Sequence, residues 1–565
     1  MSRRKAAGVV AVVFTALAGA QQVLLVAGFG SWLPGWQPWP YLLVAAPAWL
    51  ISRPLWGERI PPPWRRAVRA LRRVPSWAYA VGAVVSAAGV WAALQDFEPY
   101  LGHEEAVYAN KARSWVDGTP DAGWGVYRPV GLPALGAIAL WLYGACGAGA
   151  GAGGGVGGGV GVLRAVGLVL ALGTLTVTYL VAAAWTSRRR AVVVVVVLLS
   201  GLGFLRRVPE YLNDIGATGL VLVVVFLLVR AQEKDGSRAL WGVPAAALAA
   251  FYLRYGVVGN LLAVGLAALF AYGPRAWAAQ GRRLVGAAVV LVIGLVPHLV
   301  HAVRETGSPL GMVLSATSQA NRAYVGDGLV YYLAVFPYRL AGDLGAVVMV
   351  AGLWAAGAAL RRVRGGRDGR CGVRADDRRR VFLGTAAVLV FVILGVATDG
   401  EPRFVYLAVV LLTVLGVQAV AELVGPARSA AVLAAVAALA GITVLGTTQV
   451  VAHGAMPGPT RLASSTVPVA REIGAAAQGR PCLVVTGYEP EFGWYSGCDA
   501  VTYAQYRRMR VRVPEGTLVS LVVFERGRLQ PDAAGLERLA AGRESDVRTI
   551  VTDGSVGTAT VVTLR

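Results

Sequence analysis

The feature that most limits the fold is a series of long apolar runs broken by short arginine-rich segments. Val9 to Phe29, Leu284 to Ala302, Val381 to Thr398 and Val405 to Leu423 reach or approach the ~20 residues an α-helix needs to cross a bilayer. The runs are continuous rather than alternating, which argues against a closed β-barrel. Only 15% of the 565 residues are charged and 56% are hydrophobic, against about 25% charged in an average soluble protein. An all-α polytopic membrane protein is expected, with roughly 11–14 transmembrane helices.

A net charge of +22 on a soluble chain would suggest nucleic acid. Here the arginines gather between apolar runs, nine of them from Arg361 to Arg380. This is the positive-inside pattern. The excess charge orients the chain and meets anionic lipid heads. Membrane lipids are therefore expected partners and nucleic acid is not.

Counting crossings from an internal N-terminus places a loop at about 95–130 outside, with Asp399 to Phe404 and a C-terminal tail. The chain is thus expected in the cell (plasma) membrane, multi-pass. Three parts follow: residues 1–76, a hairpin and basic cytoplasmic loop; 77–452, the main membrane domain; and 453–565, a soluble tail. Sidedness conflicts between residues 130 and 206. Arg188 to Arg190 look internal, whereas the acidic loop and Asp214 look external. The number of crossings there stays open, with the short run Val130 to Ala145 the candidate for lying flat or re-entering. Gly144 to Gly161, nearly pure Gly, Ala and Val, reads as a flexible connection. Trp241 to Tyr272 is too long for one crossing and is expected to break at Tyr252-Leu-Arg-Tyr-Gly256.

The tail is polar and carries short β-like runs at Cys482 to Val485, Leu518 to Phe524 and Thr560 to Leu564. Helical stretches alternate with them, so a small extracytoplasmic α/β domain is expected. An oxidising exterior permits a disulfide between Cys482 and Cys498; two free thiols are the alternative. Phe492-Gly-Trp-Tyr495, between them, suggests an aromatic surface for sugar or acceptor.

The chemistry concentrates in Tyr100-Leu-Gly-His-Glu-Glu-Ala-Val-Tyr-Ala-Asn-Lys-Ala-Arg113. His103, Glu104 and Glu105 are adjacent, and carboxylates beside a bilayer are costly unless solvated or used. Glu105 to Trp115 lacks Gly and Pro and reads as a short surface helix. A helix N-terminus favours negative charge, so capping competes with catalysis for one glutamate. The other external ionisable groups are Arg128, Arg206, Arg207, Glu210, Asp214, Arg254, Arg339, Glu401 and Arg403. Arginine's planar fork binds phosphate. A carboxylate in reach takes a proton from an attacking hydroxyl. Together they suit displacement of a phosphate from a sugar carbon.

Glu104-Glu105-Ala-Val-Tyr108-Ala109-Asn-Lys-Ala112-Arg113 resembles the acidic motif in the first external loop of the GT-C membrane glycosyltransferases. In pattern it is closest to the protein O-mannosyltransferases and the aminoarabinose lipid A transferases. Arg128-Pro129 is similar to the family's basic-Pro-Pro element, and Asp214 to its second acidic site. Tyr252-Leu-Arg-Tyr255 and Glu401-Pro-Arg-Phe404 resemble later signatures. Three positions depart: Glu104 stands where Asp is usual, and Val130 and Arg128 replace the second proline and the lysine of the basic element. The resemblance implies a GT-C fold and an inverting glycosyltransferase. A polyprenyl-phosphate sugar would be the donor, and an extracytoplasmic protein, glycan or lipid the acceptor. It implies catalytic roles for Glu104, Glu105 and Asp214, and donor-phosphate binding by Arg128, Arg254 and Arg403. His103, Tyr108 and Glu401 would support them. No metal cluster is evident from four histidines, and a carboxylate-bound divalent cation stays open. A transporter or flippase for a lipid-linked sugar is the alternative function.

Overall fold

The computed structural model describes residues 2–26, 38–56, 66, 69–70, 73–97, 99–145, 157–201, 204, 210–234, 238–318, 324–335, 338–365, 375–425, 428–429, 431–441, 459–509 and 513–564. Arg206, Arg207 and most of the glycine-rich stretch lie outside them, as do Trp32, Trp36 and part of the Arg361 to Arg380 segment. Seven described helices are long and apolar enough to cross a membrane: Arg3–Leu24, Gly159–Trp185, Asp214–Glu233, Gly281–Thr306, Leu340–Gly365, Ala375–Ala397 and Pro402–Val424. Five shorter apolar helices accompany them. Val285 and Ile293 on the Gly281–Thr306 helix are 65% and 64% exposed. Such a large apolar surface belongs against lipid rather than water.

The chain forms two compact units that interleave in sequence. One comprises Met1–Trp91, Leu170–Val208 and Asn213–Ala455; the other Ala92–Val169, Pro209–Leu212 and Met456–Arg565. In the first, the helix Tyr406–Val424 is buried along most of its length and packs on Tyr338–Gly365. Small residues let the two backbones approach: a Cβ at Gly416 would lie 1.8 Å from the Val348 carbonyl oxygen. The break in Trp241 to Tyr272 falls where the sequence places it. One helix ends at Leu253 and the next starts at Val257. The freed Leu253 carbonyl accepts a hydrogen bond from Asn213 Nδ2 at 2.8 Å.

The second unit holds the helix His103–Asp117, hereafter the acidic helix, together with Gly131–Ala145 and the start of Gly157–Trp185. At 1.5 Å per residue the 15-residue helix Gly131–Ala145 is about 22 Å long, short of the ~30 Å hydrocarbon core. Its partner begins already at Gly157, so the last residues of the expected glycine-rich connection are helical. Gly159 among them, and Gly167 further along the same helix, allow close packing. A Cβ at Gly159 would lie 3.2 Å from the Trp494 ring, and one at Gly167 2.3 Å from the Glu210 carbonyl.

The tail is the expected α/β domain. Strands β1 (Cys482–Val485), β2 (Asp499–Val501), β3 (Leu518–Phe524), β4 (Ser545–Ile550) and β5 (Ala559–Leu564) form one sheet in the order β2-β1-β3-β5-β4. The β2-β1-β3 pairs are parallel and the β3-β5-β4 pairs antiparallel. Leu483, Val485, Val519, Leu521, Val562 and Leu564 face one core with Tyr503. Cys482 and Cys498 are bridged, with Cα atoms 5.0 Å apart. The expected aromatic surface is not there. Phe492, Trp494 and Tyr495 are buried, because the helix Glu489–Ser496 that carries them packs on the acidic helix.

Candidate functional site

The acidic helix starts after Gly102 and ends at Gly118, whose left-handed backbone (φ 77°) suits glycine. Its first turn carries both glutamates, and they meet different surroundings. Glu105 is 4% exposed and faces Arg164, itself 1% exposed, at 3.2 Å. It accepts the Tyr211 N–H at 2.7 Å and the Gly102 N–H at 2.9 Å. Arg164 also donates to the Tyr100 carbonyl at 2.7 Å. This is a fully engaged carboxylate that caps the helix and ties three segments of the unit together.

Glu104 is 40% exposed and pairs with Arg128, 11% exposed, at 2.6 Å. A second, longer contact of 3.4 Å joins Arg128 Nη2 to Glu104 Oε1. Arg128 lies 5.6 Å over Tyr108 and 5.4 Å over Tyr127, so aromatic faces steady the guanidinium. Burial alone would lower the Arg128 pKa, but the Glu104 charge and hydrogen bond outweigh it and the net shift is upward. A fixed cation beside a half-exposed carboxylate is an arrangement that can hold a phosphate and accept a proton.

His103 faces the tail. Its Nδ1 is 3.0 Å from Glu491 Oε2, and Arg528 Nη2 approaches Nδ1 at 2.9 Å and Nε2 at 3.2 Å. Tyr108 is buried and packs edge-on against Trp124.

The first unit brings together the remaining expected residues. Asp214, in the first turn of its helix and 5% exposed, contacts Arg254 closely, and Arg403 Nη1 lies 4.0 Å from it. Arg403 also contacts Glu401, which is 38% exposed. Both guanidiniums lie over the Phe404 ring, at 4.5 Å for Arg254 and 5.5 Å for Arg403. Arg254 reaches this position because the helix break at Arg254 to Gly256 frees it. Two arginines thus meet two carboxylates, Asp214 buried and Glu401 half-exposed, and the charges balance.

Sequence reasoning missed Arg164, Tyr211, Glu491 and Arg528. Only Arg164 carried a signal, as a lone charge in an apolar run. Among the described residues no group of three or more His, Cys, Asp or Glu is placed to hold a metal ion.

No protein-family model matches the chain, and no curated protein matches it. Its fold is similar to that of ArnT from Cupriavidus metallidurans bound to undecaprenyl phosphate. The TM-score is 0.60 at 17% identity, over 86% of this chain and 98% of that one. The apo state of that protein gives 0.60 at 16% identity, with the same coverage. The Archaeoglobus fulgidus oligosaccharyltransferase in complex with Zn and sulfate gives 0.48 at 12% identity, over 84% of this chain and 72% of that one. The fold is thus the GT-C fold of polytopic membrane glycosyltransferases.

Proposed function

We propose that the chain is an inverting glycosyltransferase that moves a sugar from a polyprenyl-phosphate donor to a hydroxyl or amine of an extracytoplasmic protein, glycan or lipid. The half-exposed Glu104 against the nearly buried Arg128, in a fold shared with a protein that binds undecaprenyl phosphate, is the observation that carries this reading. The acceptor oxygen or nitrogen attacks the anomeric carbon. The bond from that carbon to the phosphate oxygen breaks, and polyprenyl phosphate leaves with the electron pair. Glu104 takes the acceptor proton. Arg128 turns part of its fork from Glu104 to the donor phosphate, stabilising the charge that develops on it, and Arg254 and Arg403 are a second pair of cations suited to an anion. Asp214 orients those two arginines and Glu401 supports Arg403. Glu105 fixes the helix rather than entering the chemistry, and Tyr108 steadies Arg128.

Purified protein with a polyprenyl-phosphate sugar and candidate acceptors tests the reading. Glycosylated acceptor is expected. Movement of the donor across liposomes with no product would make the chain a flippase instead. Orientation is checked separately. Cysteine at Pro120 should react with an impermeant reagent from outside intact cells, and cysteine at Arg364 should not.

A further inference from the structure

We propose that Glu491 is a positioning residue for the acidic helix, acting through His103 to fix the first turn that carries Glu104; this rests on the transferase reading above. Glu491 lies on the tail helix Glu489–Ser496, and its side chain is 2% exposed. One oxygen is 3.0 Å from His103 Nδ1. The other is buried with no hydrogen-bond partner among the described residues. A half-satisfied buried carboxylate is costly, and an apolar side chain would avoid that cost. The carboxylate has to be explained by what it does to His103.

The ring is held from the tail on more than one side. Arg528 reaches both ring nitrogens and is itself fixed to the Gly487 carbonyl at 2.9 Å. Glu489 adds a nearby charge, and Tyr488 lies under the Arg528 guanidinium at 5.0 Å. The backbone of His103 opens the acidic helix, and Glu104 is the next residue. The tail therefore holds the end of the helix where the proposed base sits.

The rest of the helix is gripped by the same tail segment. Asn110 Nδ2 donates to the Pro490 carbonyl at 2.9 Å. Arg113 donates to the Gly493 and Trp494 carbonyls at 2.7 and 3.2 Å. The Leu101 N–H donates to the Tyr495 hydroxyl at 2.7 Å. Contact is close because residue 493 is glycine: a Cβ there would lie 2.5 Å from the Ala122 Cβ. The disulfide closes the segment that bears this helix. A misplacement of about 1 Å can cost on the order of 10²-fold in rate, so such a grip matters to turnover more than to binding.

The test uses the full-length protein with Glu491→Gln, His103→Gln and the double variant. kcat and donor KM are measured separately, and amide hydrogen exchange is followed at residues 102–108. Each single variant should lower kcat by on the order of 10- to 10²-fold while donor KM stays unchanged. The double variant should be no worse than the poorer single one, because both act along one path. Exchange at residues 102–108 should quicken. Unchanged kcat with unchanged exchange overturns the proposal. So does a loss confined to KM, or one with exchange raised throughout the tail, which is general loosening. If Glu491→Gln does not accumulate, His103→Gln alone reads the same link from the other end. If the wild type transfers no sugar, the transferase reading falls. Faster exchange confined to residues 102–108 would then still support the link, and unchanged exchange would remove it.

Discussion

Glu104 and Glu105 are the same residue type one position apart, each paired with an arginine, and they end in opposite circumstances. Successive residues of a helix point about 100° apart, so one side chain turns into the unit and the other toward solvent. Glu105 meets the buried Arg164, the Tyr211 N–H and its own helix start. Glu104 meets Arg128 and is 40% exposed. The buried pair is a structural joint, whose cost of desolvation is offset only while both partners are present. The half-exposed pair gains little for stability and is free to exchange partners. The difference teaches that an acidic doublet divides its labour by helix geometry, not by residue identity.

Breaking the buried pair should give the largest effect. Glu105→Ala takes a counter-charge away from Arg164, which is 1% exposed, and should cost about 3–5 kcal/mol of stability, read by thermal or denaturant unfolding in detergent. Replacing Glu105 and Arg164 together by leucines should recover most of it. If Glu105→Ala melts like the wild type, the joint is not structural. A smaller loss of about 0.5–1.5 kcal/mol is expected for Tyr211→Phe, which deletes the buried hydrogen bond from the Tyr211 hydroxyl to the Leu132 carbonyl. Arg128→Ala should cost less stability than Glu105→Ala, because its partner Glu104 is 40% exposed and can be solvated once alone, yet weaken donor binding measured by titration with the polyprenyl-phosphate sugar. A large melting shift would move Arg128 into the structural class.

The finest effect is on pH dependence. Burial, joined by the Glu491 charge, raises the Glu489 carboxyl above its ordinary value despite His103 and Arg528 nearby. The folded tail then holds that proton more tightly than the unfolded chain. Its contribution is greatest below the unfolded value of about 4.3 and is lost as pH rises through the folded one. Glu489→Gln should flatten the stability curve in that window, and an unaltered slope would contradict the assignment.

Much of the fold was legible from the residues. Apolar run length places the long helices, and Tyr252-Leu-Arg-Tyr-Gly256 marks the break that exposes Arg254. The β-rich runs of the tail became β1, β3 and β5. The competition between capping and catalysis in the acidic doublet was also visible, because helix starts favour acid. The partners were not. Arg164 is 59 residues from Glu105, and Glu491 is 388 from His103. No local periodicity encodes such pairings. The aromatic segment Phe492 to Tyr495 misled for the same reason: its cover, the acidic helix, is remote in sequence. Gly159, near the end of the glycine-rich stretch, shows its part in close packing only once the Trp494 ring lies against it.

The central claim is that Glu104 accepts the acceptor's proton while Glu105 holds the helix. Single-turnover sugar transfer by purified wild type and Glu104→Gln, at saturating polyprenyl-phosphate sugar, tests it most directly. General base catalysis contributes about 10²- to 10⁴-fold. Glu104→Gln should therefore slow transfer by that order, with donor affinity and melting temperature kept. Equal transfer rates in the two proteins would contradict the account.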